Sequence, residues 1–234
     1  KHIRGSIFFD IKRVANKKSK FPNMVPQKSL FENYVKNLGV NQNSLIVLYD
    51  TVGIFSSPRV WWLFRYFGHN KVFVLNGGLK KWINENKPTT KYIKKIKPGN
   101  FKSKINTKNI ADYKYVYKNM FEKNTIILDA RNPNRYRGLI KESRTGLKKG
   151  HIPNSKNLPW NQLINKNGTL KSINKINTIF EGYKINNSEI ITSCGSGITA
   201  CILSLTLLHR KNIESKVYDG SWAEWGSLKL PVEK

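Results

Sequence analysis

Two stretches of this 234-residue chain match each other element for element. Residues 44–68, SLIVLYDTVGIFSSPRVWWLFRYFG, and residues 188–210, SEIITSCGSGITACILSLTLLHR, share one plan. Each runs from a β-branched segment through a polar, Gly-containing turn into an apolar stretch of helical character. A second strand-like run and turn follow in both, KVFVLNGGLKKW at 71–82 and SKVYDGSWAEW at 215–225. KHIRGS at 1–6 is echoed by GHIPNS at 150–155. Shared order and spacing over this length indicate a duplicated domain, not a short-period solenoid. Strands that alternate with helical stretches predict parallel α/β units. The expected fold is therefore α/β, with two domains that each carry a mainly parallel sheet flanked by helices.

Composition places the boundaries. Residues 89–109 are basic and punctuated by Pro and Gly, which reads as a linker between a first domain at 1–88 and a second at 110–234. The second domain is expected to open with a helix over 110–122 and a strand over 125–131, TIILDAR. No counterpart of that strand precedes His2, so the first domain is expected to be N-terminally incomplete. Hydrophobic residues make up 39% of the chain, enough for two cores. No run of about 18 apolar residues occurs, so no membrane association is expected.

The turn of the second repeat holds the chemistry. Cys194 stands at the end of a strand-like run, ahead of Gly195-Ser196-Gly197-Ile198-Thr199 and a helical segment. A cysteine in a core behaves as a small hydrophobe, but one at a strand-to-helix turn faces backbone N–H groups and the positive end of a helix dipole. Such a nest stabilises a thiolate, and Gly195 and Gly197 let the loop curl around the sulfur. Ser196 and Thr199 add hydroxyl donors. The first repeat has Asp50 at the matching position, and a carboxylate cannot carry a sulfane sulfur. The first half is expected to be catalytically silent. The other cysteine, Cys201, lies in the apolar stretch ACILSLTLL, and a bridge between the two is disfavoured by their spacing on a helix start. Unpaired cysteines suit a reducing compartment, and a cytoplasmic location is expected.

The same residues do not suit other cysteine or metal chemistries. Cysteine phosphatases need an Arg six positions after the cysteine, where this chain has Ala200. Two Cys and four scattered His fit no zinc spacing, and no phosphate-binding glycine motif is present, so neither a metal nor a cofactor is expected. The formal charge of +28 rests on 42 basic against 14 acidic residues spread along the chain. It predicts salt-sensitive, nonspecific adhesion to polyanions, while no zinc-finger or RNA-binding signature accompanies it.

The segments GSIFFDI, YDTVGIFSSPRVWW, NGGLKKW, LDARNPNRYRG, GHIPNSKNLPW, CGSGITA and YDGSWAEWG together resemble the tandem-rhodanese sulfurtransferases over essentially the whole chain. The resemblance implies two rhodanese-like domains, the first inactive, with Cys194 as the persulfide-bearing nucleophile and Ser196 assisting. The uncharged loop CGSGIT resembles that of the mercaptopyruvate-using members, whereas thiosulfate-preferring members carry charged residues after the cysteine. It implies Arg135 and Arg144 as substrate arginines, beside Gly195, Gly197, Ile198 and Thr199, and places Arg131 in a structural pair. A small-molecule sulfur donor and a thiol acceptor, such as thioredoxin or a low-molecular-weight thiol, follow from the same resemblance. The alternatives left open are a thiosulfate sulfurtransferase and a non-catalytic sulfur carrier or interaction module. One departure stands out. Where many relatives have a histidine and an acid proposed as a proton relay, this chain has Asn23 and Lys12. The histidines are expected in structural roles, His2 and His151 at the repeated turns and His69 and His209 at helix ends.

Overall fold

The computed structural model describes residues 1–185 and 188–234. In the first half the elements are β1 (His2–Ile3), α1 (Ile11–Val14), α2 (Lys28–Asn37), β2 (Ile46–Leu48), α3 (Ser57–Tyr66), β3 (Val72–Val74), α4 (Gly78–Asn84) and β4 (Thr89–Thr90). The second half contains β5 (Ile110–Ala111), α5 (Tyr113–Asn119), β6 (Thr125–Asp129), α6 (Pro133–Tyr136) and β7 (Lys156–Asn157). It continues with α7 (Ile173–Glu181), β8 (Glu189–Ser193), α8 (Ala200–Lys211), β9 (Lys216–Tyr218) and α9 (Ser221–Trp225).

The duplication is visible in the topology. β2 and β3 form a parallel pair in the first half, and β8 and β9 do so at the matching place in the second. There they lie inside a parallel five-stranded sheet of order β5-β9-β8-β6-β7. The ends of the two halves also match: β1 pairs antiparallel with β4, and His151 bridges antiparallel to Glu233.

The sheets differ in how they are covered. The second is buried on both sides, with Val116, Met120, Trp222 and Trp225 closing the face away from the first half. In the two-stranded sheet the paired residues Val47 and Phe73 are each 53% exposed. Between the sheets lie α3 and α8, packed on each other. Every residue from Ser57 to Phe64 and from Ala200 to Leu207 is buried. A helix buried on all sides belongs to a core, and one continuous cluster runs from Phe31, Trp62 and Phe64 to Leu203 and Val217.

Two expectations change at the junction. The helix expected over 110–122 is shorter, because Ile110 and Ala111 pair with β9 and Asp112 caps α5 by accepting from Tyr115 N at 2.8 Å. The strand at 125–131 ends at Asp129. The segment 89–109 is pinned along the first half. Gly99 and Phe101 donate to the carbonyls of Lys36 and Val40, and Phe101 is fully buried.

Candidate active site

The loop from Cys194 to Thr199 joins β8 to α8, as its strand-then-helix pattern requires. Cys194 is 1% exposed and makes no disulfide. α9 holds its backbone, since Cys194 N donates to Ser221 Oγ at 3.1 Å and its carbonyl accepts from Trp222 N at 2.9 Å. Ser221 Oγ lies 3.9 Å from Cys194 Sγ and donates to Tyr218 O at 2.8 Å. Ser221 sits at φ +49°, a left-handed backbone that costs a non-glycine residue about 1 kcal/mol or more. The matching residue of the first half is Gly78, at φ +56°. Sequence reading missed Ser221, although the change from NGG to DGS between the repeats was the available signal.

Arg135 comes from α6 and reaches the loop. A methyl placed on Gly195 would lie 3.2 Å from its Nη2, so the missing side chain at 195 is what lets the guanidinium approach. Arg135 is aimed by Glu142, which accepts from its Nη2 at 2.5 Å. The same carboxylate takes Arg131 Nη1 at 3.0 Å, and Arg131 in turn forks onto Asp129. Arg131 and Glu142 are buried, while the Arg135 side chain is 25% exposed. Arg131 thus has the structural role expected of it, and Arg135 is the arginine presented to solvent. Arg144 lies exposed on the loop 141–149, with no ion pair or hydrogen bond among the described residues. The structure brings Arg135 to the cysteine loop and does not bring Arg144 there.

The far side of the loop is held by the first half. Asn23 Nδ2 donates to Ser196 Oγ and to Ser196 O, both at 3.1 Å. Because the amide fills an acceptor position of that hydroxyl, Ser196 keeps its own proton to donate. Lys12 lies in α1, its N–H donating to Asp10 Oδ1 at 2.9 Å. Gly197 adopts φ +75°, and a methyl there would meet Asp219 O at 2.7 Å and Arg59 Nη1 at 3.1 Å. Arg59 and Asp219 form a buried pair at 2.6 Å that sequence reading did not anticipate. Beneath the loop, the Cys201 thiol is fully buried and donates to Gly197 O at 3.3 Å. Burial pushes its pKa up to about 12, so it stays a neutral thiol.

Of the histidines, His151 stacks on Tyr136 at 3.8 Å and its Nδ1 meets Tyr136 O at 2.9 Å. His69 follows the end of α3 and is buried, its N–H on Phe64 O and its Nε2 on Ser44 O at 2.8 Å. Neither touches the cysteine loop. Among the described residues, no group of three or more His, Cys, Asp or Glu is placed to hold a metal ion, and no helix is long and apolar enough to cross a membrane.

A cysteine at the mouth of a βα loop, with an arginine against it and a duplicated domain behind it, defines a class. The rhodanese-like domain model matches residues 1–85 and 112–228, and the chain belongs to that family, in its tandem form. It is 37% identical to the 3-mercaptopyruvate sulfurtransferase of Escherichia coli strain K12, over 99% of this chain and 83% of that one. It is equally 37% identical to the thiosulfate sulfurtransferase of Mus musculus, over 96% of this chain and 77% of that one. Among solved structures, Tum1 of Saccharomyces cerevisiae superposes with a TM-score of 0.89 at 29% identity, covering 100% of this chain and 83% of its own. SseA of Escherichia coli, described as a 3-mercaptopyruvate sulfotransferase, gives 0.85 at 35% identity, covering 94% and 83%.

Proposed function

We propose that this protein is a 3-mercaptopyruvate sulfurtransferase that carries sulfur as a persulfide on Cys194. Identity to relatives of both donor types is the same, so the argument rests on the loop. The observation that carries the reading is a cysteine loop without charged side chains, CGSGIT, with one guanidinium set against Gly195. A guanidinium makes two parallel, charge-assisted bonds to a carboxylate, the group that ends mercaptopyruvate. A dianionic sulfonate would be better served by cations on the loop itself.

The Cys194 thiolate attacks the thiol sulfur of the donor. The S–S bond forms as the C–S bond breaks, and its electron pair passes to the pyruvate enolate. That enolate takes up the proton released from the persulfide, giving pyruvate and the persulfide anion. Ser196, its hydroxyl proton left free by Asn23, donates a hydrogen bond to the developing enolate oxygen. A thiolate acceptor then attacks the outer sulfur and restores the Cys194 thiolate. Thioredoxin or a low-molecular-weight thiol fits that step, and cyanide would leave as thiocyanate. Arg144, which does not reach the cysteine loop, is proposed as an outer contact for the anionic donor, leaving Arg135 to hold the carboxylate. A reducing compartment such as the cytoplasm suits a chemistry that needs free thiols. The charge of +28 is expected to add salt-sensitive adhesion to polyanions without defining a partner.

The test is kcat/KM for the two donors. Mercaptopyruvate is expected to lead by about tenfold or more, a margin set by placing one carboxylate on one guanidinium. Equal or better use of thiosulfate overturns the donor assignment. Cys194→Ser should abolish transfer and Cys201→Ser should leave most of it, with the added sulfur found by mass spectrometry on Cys194.

A further inference from the structure

Arg59 is the most fully buried cation in the neighbourhood of the loop, at 0% exposure, and it contributes nothing that a substrate could touch. It stands in the first turn of α3, in the silent half, with its guanidinium over the Trp62 ring at 4.5 Å. Nη2 donates to Asn23 O at 2.5 Å and to Asp219 Oδ1 at 2.6 Å, and Nη1 donates to Gly197 O at 3.2 Å. The second Asp219 oxygen accepts from Val25 N at 2.8 Å. Burial alone would favour the uncharged guanidine, but the Asp219 carboxylate outweighs it and holds Arg59 charged. Its Nε is buried with no acceptor among the described residues.

Such a group is costly as a mere fastener. A buried ion pair can often be replaced by well-packed apolar side chains of similar volume without loss of stability. What the fork achieves here is geometric. It fixes two backbone carbonyls from the two halves of the chain, Gly197 within the cysteine loop and Asn23 packed against it. Holding Gly197 O fixes the plane of the 197–198 peptide, and Cys201 Sγ seals that carbonyl from below. Holding Asn23 O anchors the 23–24 peptide next to a residue at φ +60°, the backbone from which its amide reaches Ser196.

We propose that Arg59 is a positioning residue for sulfur transfer, through which the silent half sets the shape of the Cys194 loop and the direction of the Ser196 hydroxyl. It does not touch the sulfur or the donor. The proposal rests on the sulfurtransferase reading but not on the choice of donor.

The test uses the whole chain and measures kcat and KM with both donors. Arg59→Met combined with Asp219→Asn leaves no unpaired buried charge and keeps an acceptor for Val25 N. Its kcat should fall by about a hundredfold, the scale of a reacting group displaced by about 1 Å, with KM changing less than about threefold. A kcat within about twofold of the parent overturns the proposal. Should the pair fail to fold, Arg59→Lys decides the matter, because it keeps the charge on Asp219 but cannot serve three acceptors as a planar fork. A kcat loss of about tenfold or more in a folded Arg59→Lys protein supports positioning, and full kcat in that variant overturns it. If the unaltered chain transfers sulfur from neither donor, the functional reading fails, and that outcome is distinct from both.

Discussion

The two halves solve one problem in opposite ways. Each ends a strand in a loop that leads into a buried helix, with one side chain at its start. In the first half that side chain is Asp50, and its carboxylate is saturated. Oδ1 accepts from the N–H groups of Val52 and Gly53, and Oδ2 from those of Phe55, Ser56 and Ser57 and from Ser57 Oγ, all within 3.1 Å. The nest is filled by the chain's own anion. In the second half the corresponding side chain is the Cys194 thiol, with Ser221 Oγ 3.9 Å away, and in the proposed function that loop receives a sulfur that arrives and departs. The capping is also reciprocal. Asn23 of the first half reaches over the cysteine loop, while Gly168 of the second presses on the aspartate loop, where a methyl on Gly53 would come within 2.6 Å of Gly168 Cα. Asp219 takes Val25 N, and its counterpart Asn76 takes Leu170 N at 2.8 Å. The first loop is thus closed on its own carboxylate, and under the proposed function the second is the copy whose anion comes from outside.

Converting the working half to the silent solution is the strongest way to sharpen that contrast. Cys194→Asp should abolish transfer while raising stability by about 1 kcal/mol, seen as an increase of about 2–4 °C in melting temperature, as the new carboxylate collects the loop N–H groups. A lower melting temperature would mean the two nests differ in shape and not only in occupant. Emptying the silent half is the reverse experiment. Asp50→Ala should cost about 2–4 kcal/mol in denaturant unfolding, since several N–H groups lose a charged acceptor together. Its residual kcat should stay near the parent value at temperatures where it is folded.

The caps can be separated more gently. Asn23→Gly keeps a residue at ease with φ +60° and removes only the amide, so kcat should fall about fivefold, the worth of roughly one hydrogen bond, with little change in melting temperature. The smallest effect concerns the segment that trails the first half. Glu32 accepts from Ser103 N at 2.7 Å and Ser103 Oγ at 2.8 Å, and these bonds hold its carboxyl below the usual 4.5. A depressed carboxylate stabilises the fold above that value and loses its contribution as pH falls through the lowered one. Glu32→Gln should therefore lower the melting temperature slightly at pH 7, and the difference should close in acid. A gap that widened on acidification would reverse the sign argued for this group.

Much of this arrangement was legible in the letters of the chain. The repeat is carried by local patterns, a β-branched run, a polar turn and an apolar helix, and local patterns survive without knowledge of the partner. Cys194 and Asp50 therefore match from sequence alone, each at the end of a strand before a buried helix, and the place of Arg131 at the strand end separates it from Arg135. Arg59 was not legible, because its acceptors on Gly197 and Asp219 lie in the other half of the chain and only packing makes them neighbours. The same holds for Asn23, which read as a missing relay residue and turned out to hold Ser196 through its amide. At 110–112 the apolar spacing suited a helix, and pairing with a strand more than a hundred residues later overrode it.

The helices α3 and α8 carry a consequence for how the molecule comes apart. Duplicated domains joined by a linker ordinarily unfold one after the other. Here each central helix is buried on every side, so neither half can melt without exposing the apolar surface of the helix it leaves behind. The unit of unfolding is then the entire chain, which should show one transition by every probe, with a denaturant slope set by all of its buried surface. Duplication supplied two domains; the shared helix layer made them a single thermodynamic object.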